Sequence, residues 1–150
     1  MKDYLISPAN TTNLKSVLKL LKDLNLPTEG VKEHFNDFLV MKDNSNPKES
    51  NIIGCVGLEV YNKFGLLRSL AIEPKLQSQG LGNILTDAIL DYARSIELHK
   101  IYLLTTTAEK FFLKKGFMKI KRDIVPAEVK QSIEFKSLCP DSAICMEIFL

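Results

Sequence analysis

The stretch Gln77-Ser78-Gln79-Gly80-Leu81-Gly82 combines residue types and spacing that suit chemistry. It stands between an apolar run, 66–72, that ends at Glu73-Pro74, and a series of apolar residues at helical spacing: Leu81, Ile84, Leu85, Ala88, Ile89, Tyr92 and Ala93. A helix opening at about Gly80 leaves its first backbone N–H groups without partners and partly positive. Such amides can cradle a phosphate, and Gly80 and Gly82 let the backbone approach an anion closely. The Gly-Lys-Ser/Thr ending of a Walker loop is missing, as are the third glycine and distant acidic residue of a dinucleotide fingerprint. At this level two readings stand: a phosphate cradle, or a helix start with two flexible residues. Two charged residues are also out of character with their strands. Glu59 lies between Leu58 and Val60, and Arg68 lies inside the run 66–72. A guanidinium there can grip a carboxylate through two parallel hydrogen bonds, or pair structurally with Glu59 or Glu73. For Glu59 the plain alternative is an exposed place on the polar face of a hairpin.

The elements that must position these residues follow from periodicity and turn chemistry. Tyr4-Leu5-Ile6 reads as a strand ending at Ser7-Pro8, and Asn10-Thr11-Thr12 offers caps for a helix over about 11–24, stopped by Pro27. A short helix is expected over 31–35. Strands over 38–41 and 52–60 flank the turn cluster Asp43-Asn44-Ser45-Asn46-Pro47 and make a hairpin. After the strand 66–72 and the long helix come a strand over 101–104 and a helix over 108–115 closed by Gly116. A strand from 117 to 120, a helix over 126–135 and a last strand over 143–148 complete the chain. Strands interleaved with helices predict an α/β fold, a mixed sheet of about six to seven strands with helices on both faces. No repeat or linker divides the sequence, so residues 1–150 are expected to form one domain.

Composition narrows the function classes. The 150 residues are 45% apolar and 25% charged, the balance of a globular protein with a sizeable core. Twenty basic against 18 acidic residues leave a net charge of +2, and no dense Lys/Arg run suggests a nucleic-acid partner. No stretch approaches the roughly 20 apolar residues of a membrane span. The N-terminal residues lack the apolar centre of a signal peptide. Cys55, Cys139 and Cys145 match no zinc spacing, so no metal is expected, and an odd number of thiols reads as reduced cysteine in a cytoplasm. His34 and His99 stand in polar surroundings and carry no catalytic signal. The apolar C-terminal run 144–150 is either a dimer-forming edge or a buried strand.

In its place between strand and helix, the pattern Gln77-x-x-Gly80-x-Gly82 resembles the pyrophosphate loop of the GNAT superfamily of N-acetyltransferases. Ala108-Glu109-Lys110-Phe111-Phe112-Leu113-Lys114-Lys115-Gly116-Phe117 resembles that superfamily's next block, and the predicted element order is similar from end to end. The resemblance implies acetyl-CoA as cosubstrate. Backbone groups of Leu70, Ala71 and Ile72 would pair with the pantetheine arm as an added strand would. Amides of Gln77, Ser78, Gln79, Gly80, Leu81, Gly82 and Asn83 would hold the pyrophosphate. Phe111 and Phe112 would pack near the arm, and the strands 66–72 and 101–104 would part to admit the thioester. Leu103-Leu104-Thr105-Thr106 with the following aromatic pair resembles the acetyltransferase domain of N-acetylglutamate synthases. The stretches 66–71, 103–108 and 134–140 resemble a subgroup found with arsenic-resistance genes. Both likenesses imply a small amine acceptor resembling an amino acid, glutamate or a glutamate analogue.

The same resemblance exposes gaps. The tyrosine that often protonates the leaving thiolate is replaced by Phe112, Thr105 stands where asparagine is common, and Leu66 occupies the place of a base used by histone-type members. Tyr102 and Cys139 are alternative proton donors. Glu59 is the candidate base, acting directly or through water. Arg68 is the candidate grip on an acceptor carboxylate, aided by hydroxyls of Ser69 and of the run Thr105-Thr106-Thr107, of which Thr106 or Thr107 can equally cap the next helix. A binding module that takes acyl-CoA or a thiol ligand without turnover is the alternative of another class. Acetylation of protein termini or lysines would need an acidic peptide groove that the sequence does not provide.

Overall fold

The computed structural model describes residues 4–45, 51–138 and 140–150. Seven strands form one mixed sheet in the order β1-β2-β3-β4-β5-β7-β6. They are β1 (Tyr4–Pro8), β2 (Phe38–Asp43), β3 (Ile52–Tyr61), β4 (Phe64–Ile72), β5 (Lys100–Thr105), β6 (Met118–Ile120) and β7 (Ile144–Phe149). Among the described residues four α-helices intervene: α1 (Leu14–Asp23), α2 (Leu81–Ser95), α3 (Glu109–Lys114) and α4 (Ala127–Lys130). By compactness the chain falls into two interleaved units, Met1–Leu58 with Ser69–Ile89, and Glu59–Arg68 with Leu90–Leu150.

In the first unit, β1, β2 and the start of β3 form an antiparallel meander, with Ile6 opposite Met41 and Val40 opposite Cys55. The entry to α1 is fixed by reciprocal bonds: the Asn10 side chain accepts from the Thr12 amide, and the Asn13 side chain accepts from the Asn10 amide, both at 3.0 Å. The apolar face of α1 buries Val17, Leu20 and Leu21 against Val31, Phe35, Phe38, Val40, Ile52, Cys55 and Ala71. Gly57 lies opposite Phe38, and a Cβ there would stand 2.2 Å from the ring, so only glycine admits this aromatic. The helix expected over 31–35 is absent. That stretch is a chain of turns followed by a 3₁₀ turn at Phe35–Asp37. With Val31 and Phe35 fully used in the core, a stretch of four or five residues has too few backbone bonds to propagate a helix.

In the second unit, β4 and β5 run parallel with Phe64, Gly65 and Leu66 opposite Lys100, Ile101 and Tyr102. β7 pairs antiparallel with β5 along Lys100–Thr105 and with β6 along Met118–Ile120. The C-terminal run is therefore an interior strand rather than an edge; β1 and β6 are the outer strands of the sheet. Leu66, Tyr102, Val125, Val129 and Cys145 make a core, with Tyr61, Phe64, Leu104, Ile120 and Phe135 packed around it. The helix expected over 126–135 breaks. α4 ends at Lys130, and after Gln131-Ser132 the backbone widens into a π-helical turn, Glu134–Leu138. Burial of both Ser132 and Glu134 fits a segment shaped by polar contacts rather than by helical periodicity.

Candidate active site

The loop that follows β4 has the backbone an anion cradle needs. Ser78 and Gly80 take φ of +67° and +83°, left-handed values that turn successive amides outward. Gln77, Ser78, Gln79 and Gly80 are exposed, and where a Cβ on Gly80 would sit there is open space. The first i→i−4 bond of α2 runs from the Ile84 amide to the Gly80 carbonyl at 3.3 Å. The amides of Leu81, Gly82 and Asn83 precede it and lack that intrahelical partner. The Thr86 hydroxyl donates to the Gly82 carbonyl at 2.8 Å, tightening this first turn. Gln77 closes the loop from the other side. Its side-chain amide donates to the Ile72 carbonyl at 3.0 Å, so this carbonyl is already engaged by the loop.

Ser69, just upstream, has φ of +61° within a strand. For a residue with a Cβ this costs about 1–2 kcal/mol. Its carbonyl accepts from the buried Cys55 thiol at 3.2 Å. Burial pushes that thiol up to about 12, which keeps it a donor.

The second unit gathers the charged residues. Arg68 and Glu59 are only 3% and 1% exposed, and the Arg68 Nη1 donates to Glu59 Oε2 at 2.7 Å. The exposed-hairpin reading of Glu59 is thereby overturned, because its side chain is buried and bonded to Arg68. Glu73 takes no part in the pair; Glu134 does, with its Oε2 3.4 Å from the Arg68 Nε. Tyr61, two residues along β3 and so on the same face as Glu59, donates its hydroxyl to Glu59 Oε1. Burial opposes the charged form of Glu59, but hydrogen bonds from Tyr61, Ser132 and Arg68, with the Arg68 charge, outweigh it and hold the carboxyl below its usual range. Burial and the same bond to Glu59 push the Tyr61 phenol well up. Glu134, Tyr61 and Ser132 were missed by sequence reading. Their signal was faint: a lone carboxylate between Ile133 and Phe135, and a tyrosine at a strand end.

The remaining expected residues have local partners of their own. Thr105 uses its hydroxyl to accept from the Ala108 amide at 2.9 Å, and Ala108 is itself the N-cap of α3 with no side-chain cap bond, so the cap expected at Thr106 or Thr107 is not formed; Thr106 is exposed. Phe112 is buried edge-on between Phe111 and Phe117, with ring centroids 5.0 and 5.4 Å away. Its place is that of a core aromatic with no proton to give. Tyr102 is 2% exposed and packed edge-on to Phe64, with burial first among the influences that raise its phenol. Cys139 lies outside the described residues. Among the described residues no group of three or more His, Cys, Asp or Glu is placed to hold a metal ion, and no helix is long and apolar enough to cross a membrane.

Comparison with known proteins converges on one family. Residues 12–117 match the model of the acetyltransferase (GNAT) family. An amino-acid acetyltransferase of Mycobacterium tuberculosis (strain ATCC 25618 / H37Rv) is 32% identical over 100 residues, which are 66% of this chain and 54% of that protein. An amino-acid acetyltransferase of Neisseria meningitidis is 27% identical over 105 residues, 69% of this chain but 23% of that protein. The chain thus spans about half or less of the length of these relatives. In three dimensions it is similar to the N-acetylglutamate synthase of Neisseria gonorrhoeae complexed with coenzyme A and N-acetyl-glutamate, with a TM-score of 0.83 at 21% identity over 99% of this chain and 35% of that one. A Mycobacterium tuberculosis protein in complex with CoA has a TM-score of 0.79 at 23% identity, covering 97% of this chain and 99% of its own.

Proposed function

The chain belongs to the acetyltransferase (GNAT) family, and from that premise we propose that it moves an acetyl group from acetyl-CoA to the α-amine of an acidic amino acid, glutamate or a close analogue. The observation that carries the acceptor reading is Arg68, a buried guanidinium anchored to β3 by Glu59. Arg presents five donors in a planar fork that matches a carboxylate. Likeness to amino-acid acetyltransferases supports a small amino acid as acceptor. Likeness of the stretches 66–71, 103–108 and 134–140 to the arsenic-resistance subgroup extends the reading to glutamate analogues.

The residues present fit the donor. The exposed, left-handed turn at Ser78 and Gly80 and the first amides of α2 offer N–H groups to a pyrophosphate. The carbonyls and amides of Leu70 and Ala71 continue a strand to which an extended arm can pair. When bound, acetyl-CoA supplies the activated acyl carbon; everything else falls to this chain. The amine attacks in its neutral form, and its proton leaves through water. Glu59 is poorly suited to take that proton, since a carboxylate stabilised by three donors is a weak base. Its role is to hold Arg68. The leaving thiolate also takes its proton from water, because Phe112 has none.

The test is isothermal titration with acetyl-CoA, followed by thiol release over a panel of amino acids. Binding with release for glutamate or its analogues is expected, with an acceptor KM raised roughly tenfold or more in Arg68→Lys, which loses the fork, and an unchanged affinity for acetyl-CoA. Binding without release from any amine would make the chain a binding module. No binding by the folded protein would reduce the 77–83 loop to a plain helix start.

A further inference from the structure

In the first unit three successive residues of β3 meet the end of β4 and the residue after it. The Ile53 carbonyl accepts from the Glu73 amide at 2.8 Å. Gly54 admits the Ala71 carbonyl, which would stand 3.1 Å from a Cβ built there. The Cys55 thiol donates to the Ser69 carbonyl at 3.2 Å. Ser69 is where β4 departs from strand geometry, with φ of +61°. Ser69 and Leu70 are also half-buried in succession, before the buried pair Ala71-Ile72. A left-handed residue turns its carbonyl away from the direction that a regular ladder would give it, and a polar group so turned needs a partner. A sulfhydryl is a weak donor, but this one is fixed by its surroundings, since Cys55 is fully buried in a core with Val17, Val40 and Ala71. Burial also keeps the thiol protonated, and so a donor. An apolar residue of similar size would fill the same volume, so packing alone does not call for sulfur here.

We propose that Cys55 is a positioning residue for the donor site: its thiol holds Ser69 in the left-handed bend that sets the direction of the Leu70 and Ala71 backbone groups. This deepens the donor reading above and rests on it, since Leu70 and Ala71 are the groups to which an extended arm would pair. A residue with a Cβ pays to adopt a positive φ, and extended backbone competes with the bend. The bond from Cys55 belongs to the bent form, so it raises the fraction of molecules that are bent before the donor arrives. A ligand that needs the bend binds with an affinity reduced in proportion as that fraction falls. Cys55 acts through the backbone of the neighbouring strand, and its buried thiol takes no part in the chemistry.

The experiment measures acetyl-CoA affinity by isothermal titration for the wild type, Cys55→Ala, Cys55→Val and Cys55→Ser, and for Ser69→Gly with and without Cys55→Ala. Alanine and valine both lack the donor but differ in volume, so one stands in should the other disturb the core. Each is expected to bind acetyl-CoA roughly fivefold more weakly than the wild type, the scale of one hydrogen bond. Serine keeps a donor at slightly shorter reach and is expected to lose less. In the Ser69→Gly background Cys55→Ala is expected to cost almost nothing, because glycine takes a positive φ without help. A packing defect at Cys55 would be felt equally in both backgrounds, so this coupling separates a positioning role from a structural one. Thermal melting followed by circular dichroism reports that each variant is folded. Unchanged affinity in the folded donorless variants, or a loss of the same size in the Ser69→Gly background, would overturn the proposal and leave the donor reading standing. No binding by the folded wild type would sink the donor reading, and the proposal with it.

Discussion

At Glu59 three donors, one of them the charged guanidinium of Arg68, overcome the desolvation that would otherwise favour the neutral carboxyl. The sign of the pH dependence follows. A carboxyl whose folded value is depressed contributes stability that is complete above its unfolded value of about 4.3 and is lost as pH falls through the lower folded value. Glu59→Gln is expected to flatten that acid limb, and it removes from the buried Arg68 the carboxylate bonded at 2.7 Å, a loss of the kind that costs up to about 3–5 kcal/mol. Thermal melting from about pH 3 to about pH 7 checks both points. A variant that keeps the wild-type acid limb would assign the limb to other carboxylates. The sequence showed Glu59 and Arg68 because each breaks an apolar strand, and it raised their pairing as one option. It could not show Glu134 or Ser132, whose partners lie far away along the chain and whose local surroundings look like an ordinary amphipathic helix. It also could not show that Thr105 is spent on the Ala108 amide, since a run of three threonines offers three equivalent caps.

Elements were legible where one periodicity dominated. The apolar stripe of α2 and the β-branched run of β3 are long, and propensity and burial agree along them. The loop between β4 and α2 was legible for the same reason, because a strand and a helix bound it sharply. The failures fell in short stretches, 31–35 and 126–135, where buried side chains rather than backbone propensity decide the path. Glycine spacing within β3 holds information that periodicity does not use. Gly57→Ala drives a methyl into the Phe38 ring at 2.2 Å, a distance no small shift relieves. It is expected to destabilise the protein by about 1–3 kcal/mol in urea unfolding, as overpacking of a filled core does. The double substitution Gly57→Ala with Phe38→Leu is expected to recover part of the loss, and no recovery would mean that backbone conformation rather than the ring sets the requirement.

At the scale of the whole molecule, the two compact units are not consecutive pieces of sequence. β3, β4 and α2 each run through the boundary, which falls between Leu58 and Glu59, Arg68 and Ser69, and Ile89 and Leu90. Half a strand or half a helix has little stability by itself, so the chain is expected to unfold in one transition, with circular dichroism and tyrosine fluorescence tracing superimposable urea curves. Separated midpoints would show that each unit persists without the other. One of those boundaries coincides with the left-handed backbone of Ser69. A library of variants at this position would be expected to favour glycine and asparagine and to disfavour alanine, since the demand is for a dihedral angle rather than a hydroxyl. Intolerance there, met beside an arginine and the loop proposed to hold the cofactor, would look like the signature of a substrate contact. Glycine at position 69 is the one replacement that tells the two apart, because it discards the oxygen and keeps the bend.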